Sequence, residues 1–429
     1  MSGSVAAPVA VHRSRPGPAR SACAMLLLSS GSWADPVGKS GLAHLYEHGF
    51  FAGAGPYPTA QSVAAAASAL GHDFNAHTAA EYSAFQLNGP DETLPRALDL
   101  LLTCYTAPRW DPAELAAQST AIGNELRMFA DDRQRRLRHL VTAALHGPGP
   151  FARPPLGAAD EIARLTTADV AAFARDRAGA DRLTLLIDAP GHHPGLDEVI
   201  ARHLGDAAGA GRPVPGTAPD GYGPLVHTAL ELPGRTALVA LAVPGVSYLL
   251  STREMYAVRL FHAALGAMPG NRISTRLRGE LGLAYQARTV LEPHASTGAL
   301  IAVLGCAPER VTEAVDALHA LLEEALAKPM TDGELERAAA MNRGVHVRDR
   351  ETAHGRCAVI GQEVLRRGAA QEEGELFALW GDIGPEEVLR TVRRTLMPEA
   401  ARCVVVGPVG CADGLHGSAA LPGSWRTAG

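Results

Sequence analysis

Short apolar runs of strand length alternate along the whole chain with longer Ala/Leu-rich segments of helical period. Leu183 to Ile187 and Ala237 to Val243 are continuous apolar stretches bounded by turn residues, the pattern of strands buried on both faces. Residues 60–70, 94–105 and 310–327 repeat their apolar side chains at helical spacing and predict helices. The run Ala24-Met25-Leu26-Leu27-Leu28 is too short for a signal-peptide core and predicts another buried strand. One stretch breaks the alternation: AGAGRPVPGTAPDGYGP, residues 208–224, has no apolar period and is rich in Gly and Pro. It separates two blocks of nearly equal size, so the expected organisation is a domain over 1–213, a linker over 214–224 and a second domain over 225–429. Strands and helices in each block predict an α+β fold, a helical layer packed on a mostly antiparallel sheet.

Composition narrows the function classes. A chain of 429 residues has ample length for two or three cores. A formal net charge of -6 gives no electrostatic reason to expect nucleic acid or an anionic membrane as a partner. No stretch approaches the roughly 20 apolar residues that span a bilayer. The six cysteines show no C-x-x-C spacing and are expected to be reduced, mostly buried thiols. Together these features predict a soluble, cytoplasmic protein.

The chemistry begins at His44-Leu45-Tyr46-Glu47-His48. On a helix, residues four apart stand one above the other, so His44 and His48 can both turn a ring nitrogen toward one Zn²⁺. Glu47 shares that side and can serve as general base for a water whose pKa the metal lowers. The order H-x-x-E-H reverses the better known H-E-x-x-H and meets the same geometry.

A zinc site needs at least one more protein ligand. Asp111-Pro112-Ala113-Glu114 is a helix start, with Asp as N-cap and Pro at the first helical position. The helix it opens carries Leu115, Gln118, Ile122, Glu125 and Leu126 on or near one face. Glu125 is therefore expected to point with the apolar stripe toward the interior, where an unpaired carboxylate is costly and a metal removes the cost.

With these residues in view, the chain resembles the pitrilysin/insulinase-type inverted zinc metallopeptidases, and among them the half-length bacterial members similar to the mitochondrial processing peptidase. GSWADPVGKSGLAHLYEHGFFAG (31–53) looks like the family's strand, turn and zinc helix. ALGHDFNAHTAAEYSAFQL (69–87) looks like its edge strand, and AIGNELRMFADD (121–132) like the helix of the third ligand. Glu125 stands at the family's spacing, with 76 residues between it and His48. NRISTRLRGELGLAYQARTV (271–290) is similar to the family segment whose Arg and Tyr bind substrate; by position these are Arg278 and Tyr285.

The resemblance implies two homologous domains, with Zn²⁺ on His44, His48 and Glu125 in the first domain and Glu47 as the base. It also implies that the strand at Asn75-Ala76 pairs its backbone with an extended peptide substrate, Asn75 orienting a backbone group. Arg278 and Tyr285 are implied to steady the substrate and the developing oxyanion. Two departures stand out. Gln118 occupies the place, seven residues before the third ligand, where the family usually has a glutamate; it keeps the shape and loses the charge, which predicts weaker zinc binding or slower turnover. Gly49 stands where the family more often has Met.

The implied activity is a zinc metalloendopeptidase, working as a homodimer or as a heterodimer with a related subunit. Two alternatives share the fold: a leader-removing subunit of a heteromeric processing peptidase, and a non-catalytic subunit that binds peptide. Other residues carry plainer expectations. His192-His193 lies in a proline-flanked loop, His77 packs beside the substrate, and the arginines among residues 133–138 form a solvated helix face or a rim that receives acidic substrate or a partner subunit.

Overall fold

The computed structural model describes residues 10–13, 20–147, 149–191, 193–205, 222–416, 421 and 424–428. Eleven strands run in chain order: β1 (Ala10–Arg13), β2 (Ser21–Leu28), β3 (Asp73–Thr78), β4 (Ser83–Pro90), β5 (Leu183–Asp188), β6 (Val226–Glu231), β7 (Ala237–Pro244), β8 (Ala284–Pro293), β9 (Gly298–Cys306), β10 (Arg402–Gly407) and β11 (Ser424–Ala428). They form a five-stranded sheet ordered β1-β5-β2-β4-β3 and a six-stranded sheet ordered β11-β6-β10-β7-β9-β8. Most pairs are antiparallel; β1 with β5, and β6 with β10 and β11, are parallel. Each sheet is layered with helices, as the α+β reading requires.

The chain divides into two compact units that interleave in sequence. The first comprises Met1–Met128, Arg153–Thr217 and Val347–Gln371; the second comprises Phe129–Ala152, Ala218–His346 and Glu372–Gly429. In the first unit, one face of the sheet packs Leu26, Leu28, Phe85 and Leu185 against the helices carrying Leu45, Leu98, Phe173 and Ile200. The opposite face, with Met25, Leu27 and Leu186, lies under Ala353, Cys357 and Leu365 of helix Ala353–Arg367. β2 is thus buried on both sides, which is why its sequence is a continuous apolar run rather than an alternating one. That helix sits close to the sheet at Gly361, where a Cβ would come within 2.7 Å of Leu186 Cδ1. It is tied down by a bidentate pair in which Arg356 donates to both oxygens of buried Asp188 at 2.8 Å.

The second unit repeats the scheme. One face of its sheet builds the large core with helices Thr252–His262, Val311–Ala327 and Pro385–Thr395. The other, bearing Leu238, Ala240, Ile301 and Val404, lies under Leu137, Val141 and Ala144 of helix Arg133–His146. Each sheet is therefore covered on one face by a helix from the other half of the sequence.

Residues 214–221 of the expected linker lie outside the described residues. Its end is built into the second unit, where the Tyr222 hydroxyl donates to the Gly298 carbonyl at 2.7 Å and takes the Gly245 N–H at 2.8 Å. The arginine cluster departs from its solvated reading at Arg133, whose guanidinium donates to the carbonyls of Thr236 and Val406 at 2.7 and 3.1 Å. All six cysteines are free, and five are buried. No described helix is long and apolar enough to cross a membrane. His192 lies outside the described residues; His193 is engaged locally, its Nε2 2.8 Å from the Pro190 carbonyl.

Candidate metal centre

The H-x-x-E-H segment folds as helix Leu42–Phe50, and its start is capped from outside the helix. Gly41 precedes it with φ of 96°, a left-handed conformation open to glycine, and has no side chain with which to cap. Asp35 caps instead: its two oxygens accept the N–H groups of Gly41 and Ala43 at 2.7 and 2.8 Å. A carboxylate there also complements the positive end of the helix dipole. Burial pushes the Asp35 carboxyl up to about 7, against the lowering effect of those N–H groups and of Arg153.

The helix is pinned from behind by aromatics, with Tyr46 in ring contact with Phe50, Phe85, Trp110 and Phe173. At Gly49 a Cβ would lie 3.1 Å from the Trp110 ring. A longer side chain at 49 would have to displace the indole.

The opposite face presents the donors. Ligand atoms of His44, Glu47 and His48 all lie within 4.8 Å of one another. Glu125 arrives from helix Pro112–Asp131, whose N-cap is Asp111 as expected: Oδ1 accepts from Ala113 and Glu114 at 2.9 and 3.1 Å. Glu125 Oε2 lies 3.5 Å from His44 Nε2, and Oε1 lies 3.5 Å from His48 Nε2. Those gaps are too long for hydrogen bonds. Each gap is close to the separation of two donors that bind one zinc at roughly 2.0–2.2 Å apiece. One expectation needs correction: the Glu125 side chain is 42% exposed rather than turned into the core. Its helix buries only Leu115 and Ile122, so the donor set stands at the rim of the packed interior, within reach of a substrate.

Electrostatics suit metal binding. His44 is buried, and burial followed by the charge of His48 brings its pKa down to about 4, keeping the imidazole neutral with a lone pair to give. Burial raises the Glu47 carboxyl above the usual range, although Thr78 and His48 act to lower it. His48 Nδ1 lies 3.2 Å from Gln118 Oε1. Because an amide oxygen only accepts, this contact puts the ring proton on Nδ1 and leaves Nε2 free toward Glu125. Buried Glu47 Oε2 has no hydrogen-bond partner among the described residues. Two imidazoles and a carboxylate, with a second carboxylate alongside, form a donor set suited to Zn²⁺.

Asn75 and Ala76 lie on β3, which ends the five-stranded sheet and pairs with β4 alone among the described strands. Its residues alternate, with Asp73, Asn75 and His77 exposed and Phe74, Ala76 and Thr78 half-buried. Asn75 Oδ1 accepts the Ala76 N–H at 2.9 Å. The exposed His77 has its Nε2 3.3 Å from the Tyr82 hydroxyl.

Arg278 and Tyr285 belong to the second unit. Arg278 is exposed on a π-helical turn, Ser274–Glu280, and Tyr285 is exposed at the start of β8, where the register with β9 slips by a bulge. Both features are backbone irregularities of the kind found near functional sites. Sequence reasoning missed Asp35 and Trp110. Gly41 held the signal for the first, since a helix starting on glycine calls for an acceptor from elsewhere.

Comparison with known proteins gives the family. Residues 9–158 match the profile described as Insulinase (Peptidase family M16), and residues 164–342 match the one described as Peptidase M16 inactive domain. The chain is 27% identical over 377 residues to an uncharacterized zinc protease of Mycobacterium bovis, covering 86% of this chain and 84% of that one. It is 22% identical over 402 residues to the mitochondrial-processing peptidase subunit beta of Dictyostelium discoideum, covering 89% and 83% respectively. In fold it is similar to a crystal structure of a peptidase M16 inactive domain from Pseudomonas fluorescens, with a TM-score of 0.82, 18% identity, and coverage of 95% of this chain and 98% of that one. Both M16 profiles fall on it in order and relatives named zinc proteases align along most of it, so the chain belongs to the insulinase peptidases, family M16.

Proposed function

We propose that the protein is a zinc-dependent endopeptidase that hydrolyses extended peptides. The observation that carries this reading is the Glu125 carboxylate set 3.5 Å from the Nε2 atoms of both His44 and His48, beside the buried Glu47. His44, His48 and Glu125 would hold Zn²⁺, which when bound supplies Lewis acidity toward water and toward a peptide carbonyl. Glu47, with its raised pKa, takes the proton of the attacking water and returns it to the leaving amine. Gln118 holds His48 in the tautomer that the metal needs. The open edge of β3 pairs with an extended peptide backbone, Asn75 exchanging its contact with the Ala76 N–H for one to the substrate. Arg278 and Tyr285 are assigned to hold the peptide and its developing oxyanion. The active form in this reading is a cytoplasmic homodimer or a heterodimer with a related subunit.

A processing role, removal of a leader from a precursor peptide, is supported by the likeness to a mitochondrial-processing peptidase subunit. A peptide-binding subunit without activity is favoured only by the neutral Gln118 beside His48. Cleavage of a mixed peptide library by the zinc-loaded protein decides among these. Turnover by wild type that disappears in Glu47→Gln supports the endopeptidase. A zinc-loaded wild type that cuts nothing, alone or with a related subunit, overturns it and leaves the binding role.

A further inference from the structure

Tyr285 does not stand free on its strand. It occupies the bulge where β8 slips against β9, between Ala284, paired with Cys306, and Gln286, paired with Gly305. The slip leaves Tyr285 and Gln286 both exposed, breaking the alternation that the rest of the pair would impose. Tyr285 is 58% exposed, yet the hydroxyl end of its ring lies over Gly305 of the neighbouring strand. A Cβ built on Gly305 would meet Tyr285 Cε1 at 2.5 Å and its Cζ and hydroxyl oxygen at 2.6 Å. All three of its nearest neighbours belong to that ring. Gly305 itself is buried although it has no side chain, because the ring covers it.

The glycine is not needed for backbone conformation. Gly305 does not adopt positive φ, so any residue could take its place in β9 were the ring elsewhere. It pairs with Leu238 on its other side, in the ordinary register of β7 and β9. What glycine supplies there is space.

We infer that Gly305 is a positioning residue, the seat that fixes the Tyr285 ring and hydroxyl on the surface of β9 in the orientation used to hold a peptide. The inference rests on the endopeptidase reading for the use of the ring, and on the geometry alone for the seat. A flexible ring tip yields more readily than backbone does, so an added methyl at 305 swings the ring away instead of unfolding the sheet. The signature is therefore a loss in peptide handling without a loss in folding or metal.

The test compares the zinc-loaded wild type with Gly305→Ala, Tyr285→Ala and the double variant, measuring kcat and KM on a peptide that wild type cleaves, with zinc content and Tm alongside. Gly305→Ala is expected to keep its zinc and a wild-type melting temperature. It should lower kcat/KM by on the order of tenfold or more, the scale of a misplaced substrate-holding group. In the Tyr285→Ala background the same substitution should have no further effect, because the ring it displaces is gone. Wild-type kcat/KM in Gly305→Ala, or effects that multiply in the double variant, would overturn the inference. If wild type cleaves no peptide, the functional reading has failed, and a crystal structure of Gly305→Ala still decides the seat: a displaced ring upholds it and an unmoved ring removes it.

Discussion

Gln118→Leu isolates the contribution of the one contact that orients His48. The substitution keeps the bulk and helix propensity and removes the Oε1 that lies 3.2 Å from His48 Nδ1. A neutral hydrogen bond contributes about 1 kcal/mol net, and stranding its donor away from water costs about 1–3 kcal/mol. The His48 side chain is 17% exposed, so water restores part of the loss and the low end applies. At about 1.4 kcal/mol per factor of ten, zinc affinity should fall roughly tenfold, the lower end of what lost ligand-orienting partners cost. Gln118→Glu tests the other direction. A carboxylate accepting from Nδ1–H makes a charge-assisted bond about twice as strong, so affinity or turnover should rise several-fold. The assay is zinc affinity by competition with a chromophoric chelator, with peptide turnover measured in parallel. Unchanged affinity in Gln118→Leu would refute the orienting role, and Gln118→Glu behaving as wild type in both assays would show that the missing charge is immaterial.

Three further outcomes follow from the geometry. Asp35 has its folded pKa raised from 3.8 to about 7, so the stability associated with it is full below about 4 and is lost as pH rises through about 7. Asp35→Asn should remove that slope, its Tm gaining on wild type between pH 5 and pH 8; parallel pH profiles would contradict the assignment. Gly49→Met would drive a side chain into Trp110 and should destabilise the fold by about 1–3 kcal/mol in urea unfolding, and an unaltered midpoint would show that the indole does not confine the site. Ala76→Pro removes the N–H that Asn75 now accepts from and that strand addition would use, so it should raise KM on extended peptides while zinc content stays unchanged; an unaltered KM would exclude β3 as the pairing edge.

The cluster of His44, Glu47 and His48 was legible because it is local chemistry. Spacing alone put His44, Glu47 and His48 on one face, and Asp111 announced the helix that brings Glu125. The buried strands were equally plain, since an apolar run with no polar face, as in β2, has few other uses. Which helix covers which sheet was not legible. An amphipathic pattern in Arg133–His146 or Ala353–Arg367 shows that a face must be buried and is silent about the sheet that buries it, so the interleaving of the two units stayed hidden. Glu125 was misjudged for a related reason, because the apolar stripe of its helix fixes a direction and leaves depth undetermined. Asp35, Trp110 and Gly305 act on residues reached through the fold rather than along the chain, and local pattern does not record such contacts.

The measurement closest to the central claim is zinc per chain by elemental analysis after dialysis against a weak chelator. The account predicts one zinc in wild type and in Glu47→Gln, and far less than one in His48→Ala and Glu125→Ala. Full zinc retained at wild-type affinity in Glu125→Ala would contradict it, because the carboxylate that faces both imidazoles would then not be a ligand.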